Sequence, residues 1–240
     1  MPVYPADERH MRELFVYILT ALLLAGCEVI PYEERYQPVV NGNSERCHVL
    51  IEFTGFRCVN CPEASELAQT LQETYEGKLV VVAMHPASNP FTQGKYDYTC
   101  PAADSIYRLM GGDASTPFPA GNVDMKPFDG EWFANSSQWP TMVYEAMNET
   151  DQPKTDGLKT CYWVVEDSVL GVQAMPDGSV NDHYYHRHVL RSAYDRWEDV
   201  QVPDGSYYEH LRLITLTIDP TNNYIVNAYE SAFYYVSLGD

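Results

Sequence analysis

The sequence predicts an α/β domain of thioredoxin-like type followed by a small antiparallel β-sandwich domain. Three observations carry this. An apolar run at 49–53 is broken by Thr54-Gly55 and followed by Cys58-Val59-Asn60-Cys61-Pro62 at the edge of a helical pattern. A second apolar run stands at 79–84. After a polar stretch at 150–157, which holds Pro153 and Gly157, the pattern changes to alternating strands.

The N-terminus comes first in chain order. Residues 14–25 are apolar but too short for a span of about 20 residues. Arg12 precedes them and Leu24-Ala25-Gly26-Cys27 ends them, the layout of a secretory signal. A cysteine directly after Leu-Ala-Gly resembles the bacterial lipoprotein signal. That resemblance implies a signal peptide over 1–26, with Met11 the more usual start, and acylation of Cys27 as the membrane anchor. Stable anchoring takes more than one acyl chain. Residues 27–45 read as a polar, Pro-bearing linker. Glu33-Glu34 resembles a surface-export signal, which favours the outer leaflet of the outer membrane over the periplasmic one. The formal net charge of −19 argues against nucleic acid and anionic membrane as partners.

Residues 46–150 make the first domain. The run 49–53 suits a strand. Ala64, Leu67, Ala68 and Leu71 recur at helical spacing, Gly77 stops the helix, and 79–84 reads as a buried strand. A CxxC at the first strand–helix junction of such a unit is thioredoxin-like. The first helical turn offers unpaired N–H groups and the positive dipole end, which stabilise a thiolate. Cys58 is then the exposed thiol and Cys61, a turn deeper, the resolving one. Arg57 adds positive charge if it turns inward. The alternatives are a structural disulfide or half of a zinc site, though a second Cys or His pair is missing. No metal and no cofactor are expected.

Residues 85–99 form a long loop, 102–110 a helix ended by Gly111-Gly112, and 141–147 the last helix, with Trp139-Pro140 interrupting. Thr116-Pro117 is placed for a cis-proline beside the CxxC, with Pro119 as the alternative. The Thr116 backbone would hydrogen-bond an extended peptide. Six cysteines less Cys27 leave an odd number, so at least one is unpaired or joined to another molecule. Cys58–Cys61 is the natural pair; Cys47 and Cys161 sit in strand-like runs, and Cys100 in a polar loop.

Residues 157–240 read as the β domain, with strands at 158–166 and 169–174 about an Asp167-Ser168 turn, then 183–194, 211–218 and 224–229. It holds ten of the nineteen tyrosines, residues that combine apolar area with a polar tip. His183, His186 and His188 invite a metal reading, but no third ligand shares a face, and structural strand residues are the better account.

The LAGC box, VLIEFTGFRCVNCPEA, VVVAMHPASNPF, STPFPAGNVD, WVVEDSVLGVQ and YHRHVLR resemble the outer membrane protein 28 family of lipoproteins. The resemblance implies a thioredoxin-like domain, then a β-sandwich, on the outer membrane. The chain is short between the two, which leaves the sandwich incomplete. Two functions follow. One is a binding or adhesion lipoprotein with an extracellular or periplasmic protein or peptide as partner. The other is an envelope thiol–disulfide oxidoreductase using Cys58 and Cys61.

Overall fold

Two strands buried from end to end start the fold. β1 (His48–Phe53) and β2 (Leu79–Met84) pair in parallel, from His48 opposite Leu79 to Phe53 opposite Met84. This is a computed structural model, and it describes residues 46–150 and 155–233, all within one unit. The expected signal peptide, the acylated Cys27 and the linker over 27–45 lie outside the described residues. No described helix is long and apolar enough to cross a membrane.

The expected strand–helix–strand unit is present. α1 (Cys61–Thr74) connects β1 to β2, and α2 (Pro101–Leu109) follows. β3 (Ala120–Val123) pairs antiparallel with β1, β4 (Ala134–Asn135) pairs with β3, and α3 (Trp139–Met147) comes next. Pro140 does not interrupt this last helix. It occupies the first turn, where its missing N–H is harmless. Strand alternation sorts the core. Leu50, Leu79 and Val81 pack with Ala68, Leu71, Trp139 and Val143 of α1 and α3. Val49, Ile51, Phe53, Val80 and Val82 face the other way, toward Ala103 and Tyr107 of α2.

The later strands are β5 (Lys159–Glu166), β6 (Val169–Ala174), β7 (Val180–His186), β8 (Val189–Tyr194), β9 (Leu211–Asp219) and β10 (Tyr224–Ala232). They do not build a separate sandwich. The sheet runs β10-β9-β5-β8-β2-β1-β3-β4, so four of them continue the first sheet. The joint is narrow: Ala83 opposite Val189, with the Ala83 N–H on the His188 carbonyl at 2.7 Å. Cys161, Trp163, Leu190, Ile214 and Ile225 share one core with Val49 and Val82, and a shared core removes any need for a second one.

Two further expectations change. β5 and β6 do not form a hairpin about Asp167-Ser168, because β5 is taken on both edges by β8 and β9. The strand expected over 183–194 breaks at Arg187-His188. His188 has φ 55°, a left-handed conformation that ends β7 and redirects the chain into β8. β6 and β7 pair with each other as a separate two-stranded hairpin.

A buried knot ties the sheet's two ends together. Asp124, at φ 56°, directs its carboxylate at the base of β1. Oδ1 accepts the Val49 N–H at 2.9 Å; Oδ2 meets His48 Nδ1 at 2.6 Å and the Arg46 guanidinium at 2.9 Å. The Asp124 carbonyl accepts the Ile225 N–H at 2.8 Å, and the Cys47 carbonyl accepts that of Ala228 at 3.0 Å. Both donors belong to β10. Removing one partner from a buried ionic cluster leaves the others unpaired and is destabilising by about 3–5 kcal/mol. Asp124→Ala is therefore predicted to lose stability of that order in urea unfolding. A loss below about 1 kcal/mol would contradict the role given to this carboxylate.

Candidate functional site

The site lies where β1 and β2 end. Thr54 donates its N–H to the Met84 carbonyl, and Gly55 opens the turn toward α1. A Cβ on Gly55 would stand 2.6 Å from the Phe91 carbonyl oxygen, which accepts the Arg57 N–H at 3.0 Å. Only glycine admits so close an approach. The Gly55 carbonyl accepts the Cys58 N–H, and α1 starts at Cys61 with Pro62 in its first turn. Cys58 and Cys61 are joined as a disulfide, with their Cα atoms 5.4 Å apart.

Cys58 is not the exposed thiol expected of it. It is only 2 % exposed. The cover is the β6–β7 hairpin. The Ala174 N–H donates to the Phe56 carbonyl at 2.8 Å, and Gln173 Nε2 donates to the Cys58 carbonyl at 2.9 Å. The Val172 N–H donates to the Tyr98 hydroxyl at 2.8 Å. Gly171 passes directly over that hydroxyl, where a Cβ would collide with it. Arg57 turns away from the sulfurs, exposed, with its guanidinium on the Gln93 carbonyl at 3.3 Å.

Thr116 and Pro117 do not present a free peptide-binding edge. The Thr116 N–H donates to the Asp113 carbonyl, and its own carbonyl accepts from Asn89 Nδ2 at 3.0 Å. The cis bond is at Phe118-Pro119, immediately before β3, so the alternative position holds it. Pro117 is exposed, whereas Phe118 is buried and stacks on Phe91 with ring centroids 5.9 Å apart.

The remaining cysteines are buried thiols. Burial first, then Asp124 and Glu230, pushes Cys47 up to about 12. Burial, then Asp195, takes Cys161 to about 12 as well. Cys100 is not exposed: its Sγ caps α2 by accepting the Ala103 N–H at 3.4 Å. Thiols held protonated in this way are poor nucleophiles.

Glu52 escaped the sequence reading. It is buried on β1, facing α1, and its Oε1 accepts from the Ser65 hydroxyl at 2.6 Å. Ser65 stands one helical turn beyond Cys61. Burial raises the Glu52 carboxyl to about 7, against the opposing hydrogen bonds from Ser65 and Thr54. The signal was present, because Glu52 is the one charged residue in an apolar strand that ends just before the CxxC turn. Tyr184 of β7 has its hydroxyl pushed up to about 12, first by its own burial and then by Glu52.

The histidines divide. His183 is exposed beside Asp182, and His188 is buried with Nε2 on Gln69 Oε1 at 2.8 Å. His186 is buried against Tyr98, ring centroids 4.4 Å apart, and lies 5.6 Å from His85. Among the described residues no group of three His, Cys, Asp or Glu side chains is placed to hold a metal ion.

No protein-family model and no curated protein matches the sequence. Among solved structures, HBP35 of Porphyromonas gingivalis superposes with a TM-score of 0.51 at 14 % identity, over 80 % of this chain and 76 % of that one. A protein from Agrobacterium tumefaciens superposes with a TM-score of 0.47 at 14 % identity, over 80 % of this chain and 97 % of that one. The first likeness is one of fold alone: mixed α/β, with a large sheet and three helices.

The Glu52 carboxyl makes a pH prediction. Its folded pKa is raised, so the native state holds a proton that the unfolded chain releases near pH 4.5. Stability from this group is full below that point and is lost as pH rises through about 7. The loss amounts to about 3 kcal/mol across the window. Glu52→Gln, which can still accept from Ser65, is predicted to remove this slope in urea titrations at pH 5 and pH 8. An unchanged slope would show that Glu52 ionises freely in the native protein.

Proposed function

We propose that residues 46–150 are a thioredoxin-like domain serving as the scaffold of an outer-membrane lipoprotein, anchored through acylated Cys27. In this reading the chain is of the outer membrane protein 28 type. Its role is to bind a protein or peptide in the envelope or outside the cell, and Cys58–Cys61 is a structural bridge. The burial of Cys58 beneath the β6–β7 hairpin carries the proposal. Thiol–disulfide exchange needs a thiolate to reach a sulfur, and this sulfur is covered. Exposed Tyr185, Tyr207, Tyr229 and Trp197 support a binding role, since such side chains offer large rigid contact area. The acidic charge supports a partner other than nucleic acid.

Glu52 favours a second reading, an envelope oxidoreductase. A carboxyl near neutrality, bonded to Ser65 one helical turn beyond Cys61, suits a base that takes the Cys61 proton. In the reduced protein the Cys58 thiolate would attack a partner disulfide and release one partner thiolate. Cys61, giving its proton to Glu52, would then attack the Cys58 sulfur and release the second. The pair ends oxidised and the partner reduced.

The reduction potential separates the two. A structural bridge is predicted to lie below about −300 mV and to leave no Cys58 thiolate at neutral pH after reduction. A higher potential with a trapped partner on Cys61→Ser would replace the first reading with the second. The anchor is tested separately: Cys27→Ala is predicted to move the protein from the membrane to the soluble fraction. Retention on the membrane would overturn the anchor.

A further inference from the structure

The hairpin over the disulfide stands apart from the eight-stranded sheet. It is a two-stranded ribbon, a unit that is marginal by itself in water, and its outer face leaves Leu170, Val180 and Tyr185 exposed. Its hold on the body is short and local. It includes Ala174 on Phe56, Gln173 on Cys58, Val172 on Tyr98, Tyr184 on the Ser65 hydroxyl of α1, and His186 packed between Tyr98 and His85.

The histidine pair is the unusual part of that hold. His85 is buried at the end of β2, and neither ring nitrogen has a hydrogen-bond partner among the described residues. Leaving a buried polar group unsatisfied is destabilising. His186 Nε2 carries a proton and donates it to the Val172 carbonyl at 3.3 Å, a contact made within the hairpin. The titratable groups that face the pair are Tyr98 from the loop before α2, Tyr184 on β7 and Arg191 from β8. Asp97 and Cys100 lie beyond, within the field of the same Arg191. Glu52 faces Tyr184 from β1. No carboxylate contacts either ring among the described residues, so a proton on the pair meets Arg191 and the other imidazole.

We infer that the β6–β7 hairpin is an acid-released cover for the Cys58–Cys61 disulfide, held shut by neutral His85 and His186 and lifted when they take up protons. The inference concerns access to the sulfurs. It stands whether the bridge is structural or catalytic, and it is independent of the lipid anchor.

The electrostatics agree in direction. Burial first, then His186 and Arg191, holds His85 well below 6.5. Burial lowers His186 to about 4, against the hydrogen bond to Val172. A lifted hairpin returns each ring to its ordinary value. Closure is therefore strongest above pH 6.5 and is lost as pH falls toward 4. Between pH 7 and pH 5, His186 alone favours the open form by about twentyfold.

Access is read by reduction with a water-soluble phosphine, which remains active in acid. The phosphine takes an oxygen atom from water, and the two sulfurs receive the electron pair and two protons. Rates are followed by alkylation and intact mass, relative to an unstructured CxxC peptide, in Glu52→Gln protein so that this carboxyl cannot contribute. The expected result is a relative rate at least tenfold higher at pH 5 than at pH 7, reduced severalfold by His186→Phe. A ratio equal to the peptide's at both pH values would overturn the inference.

Hydrogen exchange of the same protein distinguishes lifting from acid unfolding. Val172 and Ala174 amides are expected to lose protection at pH 5 while those of Trp163 and Ile214 keep theirs. Simultaneous loss at all four would overturn the inference. Gly171→Ala, which sets a methyl against the Tyr98 hydroxyl, is expected to reduce rapidly at both pH values. A folded Gly171→Ala protein that reduces as slowly as its parent at pH 7 would show that the hairpin is not the cover.

Discussion

The carboxylate of Asp124 is the constraint on which the rest of the structure depends. It holds the Val49 N–H, His48 and Arg46 at the base of β1, while its own carbonyl receives β10. This binds the last strand of the sheet to the first, so the C-terminal strands pack on the β1–β2 face and share its core. β8 then meets β2 at Ala83, near the end from which the CxxC turn departs. Between β5 and β8 the chain must leave the sheet and return at that same end. The excursion is the β6–β7 hairpin, and the turn at Phe56–Cys58 is what it lies on. Covering the disulfide is thus a consequence of how the sheet is closed.

Local pattern made the first half of this fold legible. An apolar strand, a CxxC, helical spacing and a second apolar strand are contiguous, and each element appears close to where its residues place it. The C-terminal half was legible as strands but not as partners. Whether β5 pairs with β6 or with β8 and β9 is decided by residues far apart in the chain, and alternation says nothing about it. The joint between β2 and β8 is one residue pair, too slight to leave a sequence signature. Arg187-His188 continued an alternating run, so the left-handed turn at His188 was invisible.

The site was half legible for the same reason. The CxxC motif located Cys58 and Cys61 correctly and argued rightly that they could bond. It argued exposure from the helix start alone. The groups that bury Cys58 come from residues 171–174 and 186, more than a hundred positions later. Glu52 is the opposite case. A carboxylate inside an apolar strand is costly to bury, so its presence beside the motif was a local signal of a special environment.

Burial acts on the two parts of the site with opposite sign. On Glu52 it disfavours the anion, so acidification relieves the core beneath α1. On His85 and His186 it disfavours the cation, so the same acidification strains the contact beneath the hairpin. The two effects overlap between roughly pH 4.5 and 6.5, the ordinary values of the carboxyl and the imidazole. Within that window the strand and helix that carry the disulfide gain stability while the ribbon above them loses it. Because the ribbon has its own pairing and only a few bonds to the body, it can yield without the sheet. A uniform loss of stability would unfold the domain; opposed losses in adjoining elements confine the opening to the cover.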